Sequence, residues 1–136
     1  MPQDKLTLEI ATPQRLLVTE EVDEVVLPSA NGSMGVLSGH APLLAKLDTG
    51  EVSYRIGTER KYFALSGGFA EVLRDAVEIL AETCEPAEDI DAERAERSRE
   101  RAESRLKAAE DETDFARASG SLARALTRIQ IHGRLG

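Results

Sequence analysis

The chain is 136 residues long, with 17 basic and 25 acidic side chains and a formal net charge of −8. Residues 1–85 hold 7 of the basic and 14 of the acidic groups, and residues 86–136 hold 10 and 11. Neither part shows the clustered, unopposed Lys and Arg that phosphate backbones require, so nucleic acid is not an expected partner. Length alone allows one medium core, or a core of roughly 80–90 residues carrying something extended. Tyr54, Tyr62, Phe63 and Phe69 lie in the first part and only Phe115 in the second, which places the larger core first. The single cysteine, Cys84, excludes an internal disulfide and has no Cys or His nearby at metal-ligand spacing. Asp4 and Glu9 interrupt the only apolar stretch near Met1, so no secretory signal is expected. No run approaches the roughly 18 apolar residues needed to span a bilayer.

Short segments of period-2 alternation then follow one another: Leu6, Leu8 and Ile10; Val22 with Val25 to Leu27; Val52, Tyr54 and Ile56; Tyr62 to Leu65; Phe69 to Leu73; and Val77 to Leu80. Each reads as a strand. Between the second and third of these, Asn31 to Leu44 reads as a tight, glycine-punctuated turn with His40 at its exposed end. Gly57-Thr58-Glu59-Arg60 and Arg74-Asp75 read as hairpin turns, and Gly67-Gly68 as a bulge or a close backbone approach to a partner. Strands at this spacing predict an antiparallel sandwich or flattened barrel over residues 1–85.

The acidic run Glu85 to Asp91, broken by Pro86, marks a boundary, and the pattern becomes helical over residues 86–136. Asp91 is a good N-cap for a helix from Ala92 to Glu110 with a thin stripe of Ala95, Ser98, Ala102, Leu106 and Ala109. Asp111 to Asp114 gives a second cap signal, followed by Phe115, Ala118, Leu122, Ala125 and Ile129 at spacings of 3 and 4. Two helices joined by one short turn predict an antiparallel hairpin. Its alanine-rich seam buries little area at about 25 cal/mol per Å², and Gly120 costs the second helix up to about 1 kcal/mol, although it would suit a close backbone approach. Such a hairpin is expected to exchange between docked and displaced states.

Three motifs in this order resemble the epsilon-subunit family of bacterial and chloroplast F-type ATP synthases: Val36-Leu37-Ser38-Gly39-His40-Ala41-Pro42-Leu43-Leu44, Leu65-Ser66-Gly67-Gly68-Phe69-Ala70-Glu71-Val72, and Asp89-Ile90-Asp91-Ala92-Glu93-Arg94-Ala95. The resemblance covers nearly the whole chain. It implies a non-catalytic rotor component whose sandwich joins the gamma subunit to the ring of membrane c subunits. Its hairpin would lie against the sandwich or extend along gamma into the alpha/beta catalytic head and suppress hydrolysis. The protein would be peripheral to the membrane through the complex, on the cytoplasmic face of a bacterial plasma membrane or, alternatively, the stromal face of a thylakoid. The absence of a transit-like extension suits synthesis in the compartment of use.

The same resemblance implies two sets of site residues. Ser33, Met34 and His40 would face the c-ring; some relatives carry a glutamate at the position of Ser33, so a charged contact there does not carry over. Ile90, Asp91, Arg94 and Ala95 match the Ile/Leu-Asp-x-x-Arg-Ala pattern with which some bacterial relatives bind ATP, and Arg101 and Arg128 resemble arginines that contribute to that site. ATP would then be a regulatory ligand, with no cofactor required. Planar guanidinium groups suit phosphates. A plainer reading of the same stretch is a solvated face, since Arg94, Arg97, Arg101 and Arg105 recur at helical spacing and Glu93 to Arg97 and Glu103 to Lys107 are ordinary i,i+4 pairs.

Enzymatic readings find no support, because His40 and His132 lie in different parts, Cys84 has no basic neighbour, and no G-x-x-x-x-G-K-[ST] loop occurs. The alternative function is a free-standing nucleotide-responsive adaptor whose hairpin is a partner-binding switch. Another is a purely structural spacer.

Overall fold

The computed structural model describes residues 5–135. Asp4, which breaks the N-terminal apolar run, and the outer ends of the two expected parts lie outside them. The elements in order are β1 (Leu6–Ala11), β2 (Leu16–Val22), β3 (Glu24–Ser29), β4 (Gly32–Val36), β5 (Leu43–Leu47), β6 (Gly50–Ile56), β7 (Glu59–Val72), β8 (Ala76–Pro86), α1 (Ala92–Ala108) and α2 (Glu112–His132). Short 3-10 turns follow β8 at Ala87–Asp89 and α2 at Gly133–Leu135.

The strands form one continuous sheet ordered β2-β1-β8-β7-β5-β3-β4, with β6 bridging β3 and β7. β7 makes this closure possible. Its first half pairs with β6, from Ile56 opposite Glu59 to Gly50 opposite Leu65, and its second half pairs with β5, from Leu47 opposite Gly68 to Leu43 opposite Val72. One strand thus serves both layers of the sandwich, and Leu6, Leu8, Ile10, Leu27, Leu47, Val52, Leu65 and Ile79, all essentially inaccessible, fill the space between.

The bend in β7 sits at Gly67 and Gly68, whose φ angles are 71° and 140°. Pairing with β8 keeps one register from Phe63 opposite Pro86 to Val72 opposite Val77, so no bulge occurs there. The close approach is to β8 of the same chain rather than to a partner: a Cβ on Gly68 would lie 2.2 Å from the Leu80 carbonyl oxygen and 2.9 Å from Ala81 Cα.

Pairing is antiparallel except between β1 and β8, which run parallel from Thr7 opposite Ala76 to Ala11 opposite Leu80. No tight turn joins these two strands, so the long intervening chain supplies the crossover that a parallel pair needs. Several segment boundaries differ from those expected: Tyr62 to Leu65 and Phe69 to Leu73 are one strand, β7, which starts at Glu59 inside the expected hairpin turn, and β5 at Leu43–Leu47 was not expected. The stretch from Val22 to Leu27 is split, with β2 ending at Val22 and β3 starting at Glu24. The stretch from Asn31 to Leu44 is not one turn, because Gly32–Val36 is a strand in which Met34 packs against the core and Val36 is buried while Ser33 and Gly35 are exposed.

The helical hairpin follows its caps. The Asp91 carboxylate accepts from the Arg94 N–H at 3.0 Å and the Asp111 carboxylate from the Asp114 N–H at 2.8 Å, and α1 stops at Ala108 because Ala109 is extended, with ψ 128°. Ala95 and Ala102 of α1 and Ala118 and Ala125 of α2 are the buried residues of the interhelical seam; they sit at matching distances either side of the turn at Glu110. Phe115 departs from expectation: it is 56% exposed near the start of α2, beyond the reach of the seam. Gly120 departs too, since a Cβ there would meet only the end of the Arg124 side chain at 3.4 Å, and no backbone approaches it. Arg99 takes Glu96 and Glu103 as its partners, and the expected pairs from Glu93 to Arg97 and Glu103 to Lys107 do not form among the described residues.

The hairpin is docked on the sandwich through α2, which packs on β6 and β7. Ile131 is the central contact, fully buried in a small cluster with Ala64, Ala87 and Ile90, flanked by Tyr62. The Arg128 Nε donates to the Glu85 carboxylate at 2.5 Å, and the Arg134 guanidinium grips Glu51 and lies 5.0 Å from the centre of the Tyr62 ring. Among the described residues no helix is long and apolar enough to cross a membrane.

Candidate functional site

β8 outruns β1. The parallel pairing ends at Leu80, while β8 continues to Pro86 and holds β7 on its other edge. Beyond Leu80 the edge that faced β1 lies open, and a cleft of about 500 Å³ forms over it. Thr83, Cys84 and Glu85 supply its floor, the β1–β2 turn supplies Thr12, Gln14 and Arg15, and the start of the hairpin supplies Asp89, Asp91, Arg94, Ala95, Ser98 and Arg101, with Arg128 reaching in from α2. That volume is within the range of small-molecule sites.

Arg94, Ser98 and Arg101 share one side of α1 by their spacing of 4 and 3, and the capped N-terminus of the helix adds its partial positive charge to the same end. The four arginines have different partners. Arg128 is held by Glu85, and Arg101 donates to Ser98 Oγ at 3.1 Å. Arg15, Arg94 and Arg101 make no ion pair among the described residues, while the Asp91 carboxylate is turned to its own helix. A ligand carrying several negative oxygens would meet Arg15, Arg94 and Arg101 with no ion pair to break, beside the carboxylates of Glu85, Asp89 and Asp91 that line the same cleft.

Cys84 has the opposite character. Its burial, with Glu85 beside it, pushes the thiol up to about 12.

Of the residues expected at an ATP site, Asp91, Arg94, Ala95, Arg101 and Arg128 converge on this cleft. Ile90 does not line it. It packs beneath, in the cluster around Ile131, and fixes where α1 begins. Arg97 and Arg105 of the same arginine series lie outside it. Sequence reasoning missed the β1–β2 turn, Ser98 and Glu85. No local pattern ties residues 12–15 to a helix starting at Ala92; only the parallel β1–β8 pairing does so.

The residues expected to face a membrane ring are divided. Ser33 and Met34 lie at the β3–β4 turn, where Ser29 Oγ donates to the Gly32 carbonyl at 2.7 Å. His40 lies past the other end of β4, where Gly39 N–H donates to the Arg74 carbonyl at 2.7 Å and the His40 ring bonds the Ala41 carbonyl at 2.7 Å. These are opposite ends of the sandwich, because the strand between them is extended. His40 therefore does not belong with Ser33 and Met34.

A second surface stands out on the outer face of the sandwich. Phe69 pairs with Leu80, Leu80 with Ala11 and Ala11 with Leu16, forming a row in which the three large residues are 53%, 66% and 58% exposed. Beside it, Glu71, Glu78 and Glu9 form a parallel acidic row on β7, β8 and β1. Contiguous apolar surface of this kind marks interaction sites on soluble proteins.

Comparison with known proteins agrees with this architecture. Residues 5–87 match the family model for the ATP synthase delta/epsilon chain beta-sandwich domain, and residues 88–133 that for its long alpha-helix domain. The ATP synthase epsilon chain of Syntrophobacter fumaroxidans is 47% identical over 94% of this chain and 96% of its own length. That of Nitratidesulfovibrio vulgaris is 43% identical over 96% and 98%. In structure, a chain of the Euglena gracilis mitochondrial ATP synthase aligns with a TM-score of 0.83 at 24% identity, over 98% of this chain and 82% of that one.

Proposed function

The chain belongs to the ATP synthase delta/epsilon chain family, and from that premise we propose that it is a non-catalytic subunit of the central stalk, joining gamma to the c-ring and carrying a brake on ATP hydrolysis. The exposed row of Leu16, Leu80 and Phe69 carries this reading, because it gives the sandwich a partner surface distinct from the one its own hairpin covers. Gamma is assigned to this outer face, and the adjacent Glu9, Glu71 and Glu78 favour basic side chains on gamma. The c-ring is assigned to the β3–β4 turn with Ser33 and Met34. The subunit would then be peripheral to the membrane through the complex, on its cytoplasmic face.

The hairpin is the regulatory element. Docked, it is held by one buried isoleucine and a few ion pairs, a contact small enough to be exchanged for another when the helices reach the alpha/beta head. ATP is the regulatory ligand proposed for the cleft, where Arg94, Arg101 and Arg128 would hold its phosphates and favour the docked state. No cofactor is required.

ATP hydrolysis by a catalytic core of alpha, beta and gamma tests the assignment when titrated with the full chain and with a variant ending at Pro86. Inhibition by the full chain alone is expected. Stable co-purification of both forms with gamma is also expected, and would be lost in L80E. Absence of gamma binding by the full chain would overturn the stalk assignment and favour a free-standing adaptor.

A further inference from the structure

Arg15 is the one cationic side chain in the cleft that belongs to the sandwich; Arg94, Arg101 and Arg128 all come from the hairpin. It projects from the β1–β2 turn, closed by the Thr12 N–H donating to the Arg15 carbonyl at 2.9 Å and the Arg15 N–H donating back to Thr12 at 3.3 Å. Parallel pairing of β1 with β8 carries this turn to the open edge of β8, opposite the first turns of α1. α1 itself packs on α2, and the side-chain ties between hairpin and sandwich run through α2 and the turn after it: Ile131, Arg128 and Arg134. The start of α1 is tied to β8 through Ala87 and Ile90, and across the cleft Arg15 faces it from the β1–β2 turn.

We infer that Arg15 is a ligand-binding residue that couples nucleotide occupancy to hairpin docking, by holding the phosphate chain from the sandwich side while Arg94 and Arg101 hold it from α1. This rests on the nucleotide reading of the cleft. An anion gripped from both sides acts as a removable strut: it engages Arg15, Arg94 and Arg101, which make no ion pair among the described residues, and it fixes α1 to β1–β2 as well as to α2. Binding and docking are then linked by the same free energy. A ligand held by hairpin arginines alone would favour the folded hairpin without tying α1 to the β1–β2 turn.

Calorimetry of the full chain with magnesium ATP, together with hydrogen exchange of residues 92–101, tests the inference. In the wild type, ATP is expected to bind and to slow exchange in α1. In R15Q the Kd is expected to rise roughly tenfold, the loss of one charge-assisted contact, and protection of α1 at saturating ATP to disappear. R15M, which keeps the aliphatic stem, should behave alike, and R117Q, outside the cleft, should match the wild type. If the wild type binds and both Arg15 variants bind and protect as it does, the inference is overturned while the nucleotide reading stands. If the wild type shows no heat at millimolar ATP, about −4 kcal/mol, both fall.

Discussion

Arg134 holds Glu51 across 83 positions of sequence, its Nη2 within 2.9 and 2.8 Å of the two carboxylate oxygens. The pair closes the hairpin onto β6, one turn beyond Ile131, and Glu51 raises the Arg134 guanidinium above its ordinary value by hydrogen bonding. Since the pair is open to solvent, it sets direction more than strength. R134Q is expected to speed hydrogen exchange in the last turns of α2 without unfolding the sandwich, and added salt should have the same effect on the wild type. Ile131 is different in kind, being fully buried. I131A should destabilise docking by about 2–3 kcal/mol, visible as rapid proteolysis between residues 86 and 136 while the strands stay protected.

Gly68 is the structural hinge of the sheet, and alanine is excluded there on two grounds. Its φ of 140° is foreign to L side chains, and a Cβ would stand 2.2 Å from a backbone oxygen of β8. Neither atom belongs to a flexible side chain, so the strands must part. G68A is expected to lose more than about 3 kcal/mol, read as a fall in the midpoint of denaturant unfolding. G32A, also at positive φ but with nothing within 4 Å, should lose less.

Much of this architecture was legible because it depends on local pattern. Period-2 burial in β1 and β8, and the caps at Asp91 and Asp111, are set by residues within a few positions of one another. What escaped was set by distant pairing. The alternation of Met34 and Val36 was hidden by Gly32 and Gly35, and β4 looked like a turn. Ile131 lay off the heptad seam because it answers to the sandwich rather than to α1. Arg15 reached the cleft through a parallel pairing that no turn announces. Of the site itself, the arginines of the hairpin were visible as a family pattern, and their sandwich-side counterpart was not.

Cys84 gives a chemical reading of the cleft floor. Burial raises its thiol from an ordinary value of 9.0 to about 12, so at pH 8 the thiolate fraction falls roughly a thousandfold below that of a free cysteine. Alkylation by iodoacetamide should be slower by a comparable factor in the native chain and normal in denaturant. A native rate near that of free cysteine would mean that the strand edge at Thr83 to Glu85 opens far more than its pairing with β7 implies.

Asp23 makes the sandwich sensitive to acid. At the corner between β2 and β3, its carboxylate accepts from Lys5 Nζ at 2.6 Å and from the Gly57 N–H at 2.7 Å, with Arg55 at 3.8 Å. The Lys5 bond, followed by the Gly57 bond, holds it below the ordinary value of 3.8. A carboxylate whose folded value is depressed contributes stability that is fully present above its unfolded value and is lost as the pH falls through the folded one. D23N should therefore melt lower than the wild type at neutral pH. The gap should stay nearly constant down to the region of the unfolded value, then close as the wild-type carboxyl takes up its proton. Thermal melts of both chains from pH 7 to pH 2 check this, and a gap that widened with acid would show that the carboxylate is not held by these donors.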